Sequence, residues 1–153
     1  MKREIKEVLE ESLTRIGFVR KSSTWRRSCI EVTQVVNLQK SNYDDTYFLN
    51  IAFWIDLLGD PGPAVREEQC HVRGRAMPDL LGEQSRVEEF LSVRSRLEKG
   101  ERLEGLRAAL QDEVLPLLER MNCIEGIRAE IRRSKPWAVR RTAHELLDYS
   151  PGA

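Results

Sequence analysis

The chain has 153 residues, 41% hydrophobic and 33% charged, with 25 Lys+Arg against 25 Asp+Glu and a formal net charge of zero. This composition excludes a disordered polymer. It contains no apolar run near the roughly 20 residues that cross a bilayer, and it gives no global attraction to nucleic acid or to an anionic membrane.

The length suits one domain, 1–153, with a core over 1–133 and a C-terminal extension over 134–153. The N-terminal residues are charged and helical in pattern and lack the apolar centre of a signal peptide. Cys29, Cys70 and Cys123 are odd in number and widely spaced, which points to reduced thiols buried as small hydrophobes and to a cytoplasmic location. Zero net charge also brings little repulsion between copies, so a homodimer is a candidate state.

Residues 2–16 place Ile5, Val8, Leu9, Leu13 and Ile16 on one helical stripe, which Gly17 is placed to end. Phe18 to Arg27 reads as a strand with a weak point at Ser22-Ser23. Cys29 to Lys40 reads as a second strand, and Tyr47 to Asp56 as a third after the turn cluster 41–45. Gly59-Asp60-Pro61-Gly62-Pro63 forces a loop. Cys70 to Ala76 is a fourth strand. Val87, Phe90, Leu91 and Leu97 can line a helix, and Phe90 to Arg94 can equally be a short edge strand. A helix follows from Leu103 to Met121, kinked where Pro116 removes a backbone donor. Residues 124–133 continue in helical pattern, Lys135-Pro136 interrupts, Trp137 to Leu147 reads as a last short helix, and 148–153 as a frayed tail. The expected class is α+β: a mainly antiparallel sheet of four to five strands with helices packed on one face.

Alternation sorts the strand residues. Tyr47, Leu49, Ile51, Phe53 and Ile55 share a face. So do Val32, Val36 and Leu38, and so do Cys70, Val72 and Ala76; these sets belong under the helices. The opposite face collects Asn37, Gln39, Asn50, His71, Arg73 and Arg75, the candidate binding residues. Val35, Phe48 and Trp54 fall on that same face, and such a face calls for a cover: the C-terminal tail, a second copy or another protein.

Gly17-Phe18, Trp25-Arg26, the run Val35-Val36-Asn37-Leu38-Gln39-Lys40-Ser41, Leu49-Asn50-Ile51, the set Glu67, Cys70, His71, Val72, Arg73 and Arg75, and Val114-Leu115-Pro116-Leu117-Leu118 together resemble a bacterial family, domain of unknown function 4304. The resemblance covers roughly residues 1–125. It departs over 83–100, where this chain lacks a tryptophan pair that relatives often carry, and the tail beyond about 130 is particular to this chain. The family has no established activity. Association of some members with toxin systems implies an immunity protein as one expectation.

Cys70 and His71 are neighbours in a strand and project to opposite faces, so they cannot readily grip one ion or form a nucleophile pair. No metal and no cofactor is expected. Two readings of Arg73 and Arg75 stand. They can hold a carboxylate or phosphate through their fork-shaped donors, or they can pair with Glu31 or Asp56 on a solvated sheet. The amides of Asn37, Gln39 and Asn50 either serve a ligand or satisfy one another across strands. In the segment 126–141, Arg128, Arg132, Arg133, Lys135, Arg140 and Arg141 face one acid, Glu130, an excess of five positive charges beside Trp137. Without a nucleic-acid-binding motif, this segment reads as a solvated helix face turned toward the acidic 83–125 stretch.

The functional expectation is a non-enzymatic binding or interaction module of the bacterial cytoplasm, with an immunity role in a toxin system as its specific form. Its partner would be a toxin or another acidic protein surface. The alternatives are a domain that binds or hydrolyses a small anionic ligand through His71, Arg73 and Arg75, and nucleic-acid binding through the basic C-terminal segment. Neither a membrane nor nucleic acid is an expected partner of the leading reading.

Overall fold

A computed structural model describes every residue except Ser134, Lys135 and Ala153. The Lys135 half of the expected interruption, the Lys135 member of the basic run and the last residue of the tail therefore lie outside the described residues.

The N-terminal stripe folds as helix α1 (Lys2–Thr14), and Ile5, Val8, Leu9 and Leu13 are buried. Gly17 follows at φ 99, a conformation that suits a residue without Cβ. The sheet is antiparallel and runs in sequence order: β1 (Val19–Lys21), β2 (Thr24–Ser28), β3 (Val32–Lys40), β4 (Tyr47–Ile55), β5 (Val72–Arg75) and β6 (Ala138–Val139). Six strands form where four to five were expected. One addition comes from the Phe18–Arg27 segment, which folds back at Ser22-Ser23, with Ser22 at φ 60, to pair Lys21 with Thr24. The other is β6, where the expected helix 137–147 is replaced by a strand and a 3-10 turn (Arg141–Ala143). The free edge of β5 recruits this segment: Val72 pairs Val139, Arg73 pairs Ala138, and Arg140 N–H donates to the His71 carbonyl at 2.8 Å.

The helical layer continues with α2 (Pro78–Leu81), α3 (Val87–Leu91), α4 (Lys99–Ala109), a π-helical turn (Leu110–Val114), α5 (Leu115–Arg120) and α6 (Ile124–Arg133). Residues 87–91 are thus helix rather than edge strand, and Leu97 packs against the core from outside it. Pro116 lies in the first turn of α5, directly after the π turn. The wider turn shifts the hydrogen-bond ladder where the proline lacks a donor, so the expected single helix becomes two joined by a bulge.

Val32, Val36, Leu38, Leu49, Ile51, Phe53, Ile55 and Val72 are buried in one cluster with Leu9, Leu13, Leu106, Leu110, Leu117 and Leu118 from the helices. Trp137, Ala143 and Leu147 join the same cluster from the C-terminal segment. Cys70 departs from its expected place. It lies on the other face in a small cluster with Val35, Ala52 and Val65, against which Trp54 packs. The cause is local. Phe53 stands opposite Val72 in the register, yet its carbonyl accepts from His71 N–H at 3.0 Å. Two consecutive residues share one partner, as at a bulge, and alternation does not carry across it.

Candidate binding site on the sheet face

The helix-free face of the sheet is laid out in rows by the register. Thr33 stands beside Trp54; Arg26, Val35, Ala52, Arg73 and Ala138 form the next row; Thr24, Asn37, Asn50 and Arg75 the next; Gln39 and Phe48 the last. The first two rows are roofed by the β4–β5 loop. Val65 and Cys70 pack on Val35 and Ala52, Arg26 Nε donates to the Val65 carbonyl at 2.7 Å, and Trp54 Nε1 donates to the Gly59 carbonyl at 2.8 Å. The cover that this face called for is therefore supplied, over this half, by the chain's own loop, which was not among the three candidates. The last two rows lie beyond it.

There the side chains form one network. Asn50, 4% exposed, donates from Nδ2 to Asn37 Oδ1 (3.2 Å) and to Gln39 Oε1 (2.9 Å). Asn37 Nδ2 donates to Thr24 Oγ1 at 3.0 Å. Arg75 closes the set: its Nε donates to Asn50 Oδ1 (3.1 Å), its Nη2 to Gln39 Oε1 (3.3 Å), and its guanidinium lies 4.1 Å from the centroid of the Phe48 ring. The cation is thus fixed by two amide oxygens and an aromatic face. Among the described residues it forms no ion pair.

Arg73 differs. Its Nε pairs with Glu67 Oε1 at 3.1 Å, and not with Glu31 or Asp56 as the solvated-sheet reading required. Asp56 instead accepts from Thr33 Oγ1 at 3.0 Å. Glu67 reaches Arg73 because a 3-10 turn (Glu67–Gln69) brings the end of the loop back beside β5.

His71 is set apart from the other five. Only 5% exposed, its ring lies 4.3 Å from that of Trp54, and its Nδ1 accepts the Ile55 backbone N–H at 3.0 Å. Burial first, and the charge of Arg140 second, pull its pKa below the ordinary value of 6.5. The neutral ring stands in for a backbone acceptor at the bulge, and this commits it to structure. Asn37, Gln39, Asn50, Arg73 and Arg75 are brought together; His71 is not.

Beside Arg75 a cleft of about 350 Å³ opens, lined by Gln39, Asn50, Glu67, Arg73, Gly74, Arg75, Met77, Asp79, Leu80, Pro136 and Ala138. It lies where the chain leaves β5: the ladder stops at Arg73–Ala138, and Pro136 has no N–H with which to extend it toward Arg75. Sequence reasoning had not found Glu67, Met77, Leu80 or Pro136 as members of this site. They come from loops and helix starts whose approach no strand pattern reveals. Phe48 was legible as a member of the face, two residues before Asn50, but not as the support of Arg75.

The basic segment is tied down differently from the expectation. Arg128 does meet Glu125, at 3.4 Å, but its Nη2 also donates to the Leu146 carbonyl at 2.6 Å. Arg132 pairs with Asp148 (3.2 Å) and Arg133 with Glu130 (3.8 Å). Arg140 donates to the carbonyls of Glu68 (2.7 Å) and Cys70 (3.1 Å). The partners are mostly the tail and the loop before β5, not the 83–125 stretch, because the tail folds back over α6. Among the described residues, no group of three or more His, Cys, Asp or Glu gathers in a metal-binding arrangement, and no helix is long and apolar enough to cross a membrane.

The family model described as a domain of unknown function, DUF4304, matches residues 9–120. The chain belongs to the DUF4304 family. The match runs from the middle of α1 to the end of α5 and includes every strand except β6, so the Asn37–Gln39–Asn50–Arg75 network lies wholly inside the family domain. The segment after Arg120, which supplies α6, β6 and the Pro136 wall of the cleft, lies outside it. No curated protein and no solved structure matches the chain.

Proposed function

We propose that this chain is a non-enzymatic binding module that engages a partner through the uncovered half of its sheet face. The observation that supports this most directly is Arg75: an exposed cation held rigidly by Asn50, Gln39 and Phe48 and joined to no carboxylate among the described residues. Organising a guanidinium in advance lowers the entropy lost when it binds an acidic surface. The amides of Asn37 and Asn50 satisfy one another and their neighbours across the strands and so hold this frame in place. A partner with an acidic patch fits this surface, and a toxin bound by an immunity protein of the bacterial cytoplasm is the form that the family association favours. A hydrolytic role through His71 would need an accessible ring nitrogen, whereas this ring is buried with Nδ1 occupied.

The test is site-directed photocrosslinking in the source cells, with Phe48→benzoylphenylalanine on the face and Arg3→benzoylphenylalanine on the exposed side of α1. A discrete adduct from position 48 alone, lost on Arg75→Ala in a protein that remains folded, is the expected result. An adduct of twice the chain mass would identify the partner as a second copy. No adduct at position 48, equal adducts at both positions, or indifference to Arg75→Ala would overturn the reading.

A further inference from the structure

We infer that the end of the sheet beyond Thr33 and Trp54 carries a second interaction surface, built by Ile30, Leu57 and Leu58, and that it receives a basic amphipathic helix of a partner protein. Ile30 is 100% exposed, Leu57 73% and Leu58 37%. Single apolar side chains in water are ordinary, but these three are neighbours. Cys29 N–H donates to the Val32 carbonyl at 2.7 Å and closes the β2–β3 turn with Ile30 and Glu31 at its tip. Asp56 N–H donates to the Glu31 carbonyl at 3.0 Å, which sets that tip against the 3-10 turn (Asp56–Leu58) following β4. Gly59 N–H, donating to the Asp56 carbonyl at 3.2 Å, closes the second turn. Turn tips favour Gly, Asn, Asp, Ser and Pro. A β-branched apolar residue wholly in water at such a tip serves neither the turn nor the core. Both turns are closed by backbone bonds, so the surface is organised before anything binds.

Charge selects the partner. Glu31, Asp56 and Asp60 flank the three apolar side chains along the chain. Asp56 accepts from Thr33 Oγ1 and Asp60 from Gly62 N–H at 2.9 Å, and none of the three carboxylates joins an ion pair among the described residues. Arg27, whose charge bears on neighbouring Cys29, is already paired with Glu119 at 2.9 Å. The surface is therefore apolar with an acidic border. A second copy meeting it by two-fold symmetry would set the same carboxylates against each other, and an anionic lipid surface would be repelled. Strand addition is closed, because β3 and β4 each have a strand on both sides. A helix keeps its backbone bonds internal. It can lay apolar side chains from successive turns on Ile30, Leu57 and Leu58 while its lysines or arginines meet the border.

The experiment is a titration of the isotope-labelled full chain followed by amide and methyl shifts. The probes are a designed helical peptide of leucine and lysine in amphipathic order, the same peptide with glutamate for lysine, and the lysine peptide with its order scrambled so that no apolar face forms. Saturable shifts at Ile30, Leu57 and Leu58 are expected with the first peptide, and affinities lower by about tenfold or more with the other two. Ile30→Ser/Leu57→Ser should lower the first affinity by a similar factor. Glu31→Lys/Asp60→Lys should reverse the preference toward the glutamate peptide, and Arg75→Ala should change nothing, which separates this surface from the one proposed above. Equal binding of the three peptides, shifts gathered at Phe48 and Arg75 instead, or no saturable shift would overturn the inference without relying on any variant. A dimer seen by sedimentation and lost in Ile30→Ser/Leu57→Ser would make a second copy the occupant and would also overturn it.

Discussion

Gln34 Nε2 donates to the Leu118 carbonyl at 2.7 Å, linking the centre of β3 to the end of α5 beneath the helical layer. The same nitrogen reaches the Met121 carbonyl at 3.2 Å, and Gln34 Oε1 accepts from Arg27 Nη2 at 2.7 Å and Nε at 3.0 Å. A fully buried polar side chain on the apolar face of a strand thus satisfies carbonyls that the end of α5 leaves without intrahelical donors. Gln34→Leu leaves those carbonyls and Arg27 without this partner. The expected loss is about 2–4 kcal/mol in denaturant unfolding, since each unpaired buried group carries its own desolvation cost. A loss under about 0.5 kcal/mol, the range of ordinary surface changes, would mean that water or Arg27 takes over the bonds.

Gly126→Ala is expected to destabilise the fold by about 1–3 kcal/mol, the usual cost of forcing extra volume into a packed site. A Cβ at Gly126 would run into the Arg120 carbonyl oxygen, and backbone, unlike a long side chain, cannot swing away. Thermal unfolding of the variant checks this, with Gly100→Ala, where a Cβ meets nothing within 4 Å, as the comparison.

His71 ties stability to mild acid. Its folded pKa lies below the ordinary 6.5, chiefly through burial, so the unfolded chain binds the proton more readily. The stabilisation is complete above about pH 6.5 and is lost as pH falls below that value, where a proton on Nδ1 would oppose the Ile55 N–H. Unfolding midpoints measured between pH 8 and 5 should decline at the acid end. His71→Asn should flatten the decline whatever its effect on the midpoint itself, and an unchanged slope would remove His71 from this role.

Cys70 acts at the other end of the scale. Burial first, and Glu67 second, push its thiol from the usual 9.0 to about 12. The neutral thiol is favoured in the fold, so this contribution is present below pH 9 and is lost as pH rises toward 12. At pH 8 the thiol should resist a disulfide reagent until the protein unfolds. Rapid labelling of native protein at Cys70, read by peptide mapping, would contradict its burial between the β4–β5 loop and the sheet.

Arg73→Ala is expected to change stability by about 0–1 kcal/mol, since its pair with Glu67 is only partly screened from water. The Arg73→Ala/Arg75→Ala double variant should remain folded by circular dichroism and lose partner binding. Unfolding of the double variant would make these arginines structural and end their candidacy as a binding surface.

The alternation of residues along β3 and β4 determined by itself that Asn37, Gln39 and Asn50 share a face opposite Leu38, Leu49 and Ile51, because side chains two apart on a strand cannot do otherwise. It placed Arg73 and Arg75 with them for the same reason, and the stripe of α1 was equally legible from its 3.6-residue spacing. The position of Cys70 was not, because the bulge at His71–Val72 breaks the alternation along that strand. Nor was β6, a two-residue strand too short to carry a pattern, whose pairing comes from the unsatisfied edge of β5. Above all, only the tertiary structure decided that Arg73 is matched by Glu67 while Arg75 rests on Phe48 among neutral oxygens. That difference depends on register and on where a loop returns, distances that periodicity along one strand does not contain.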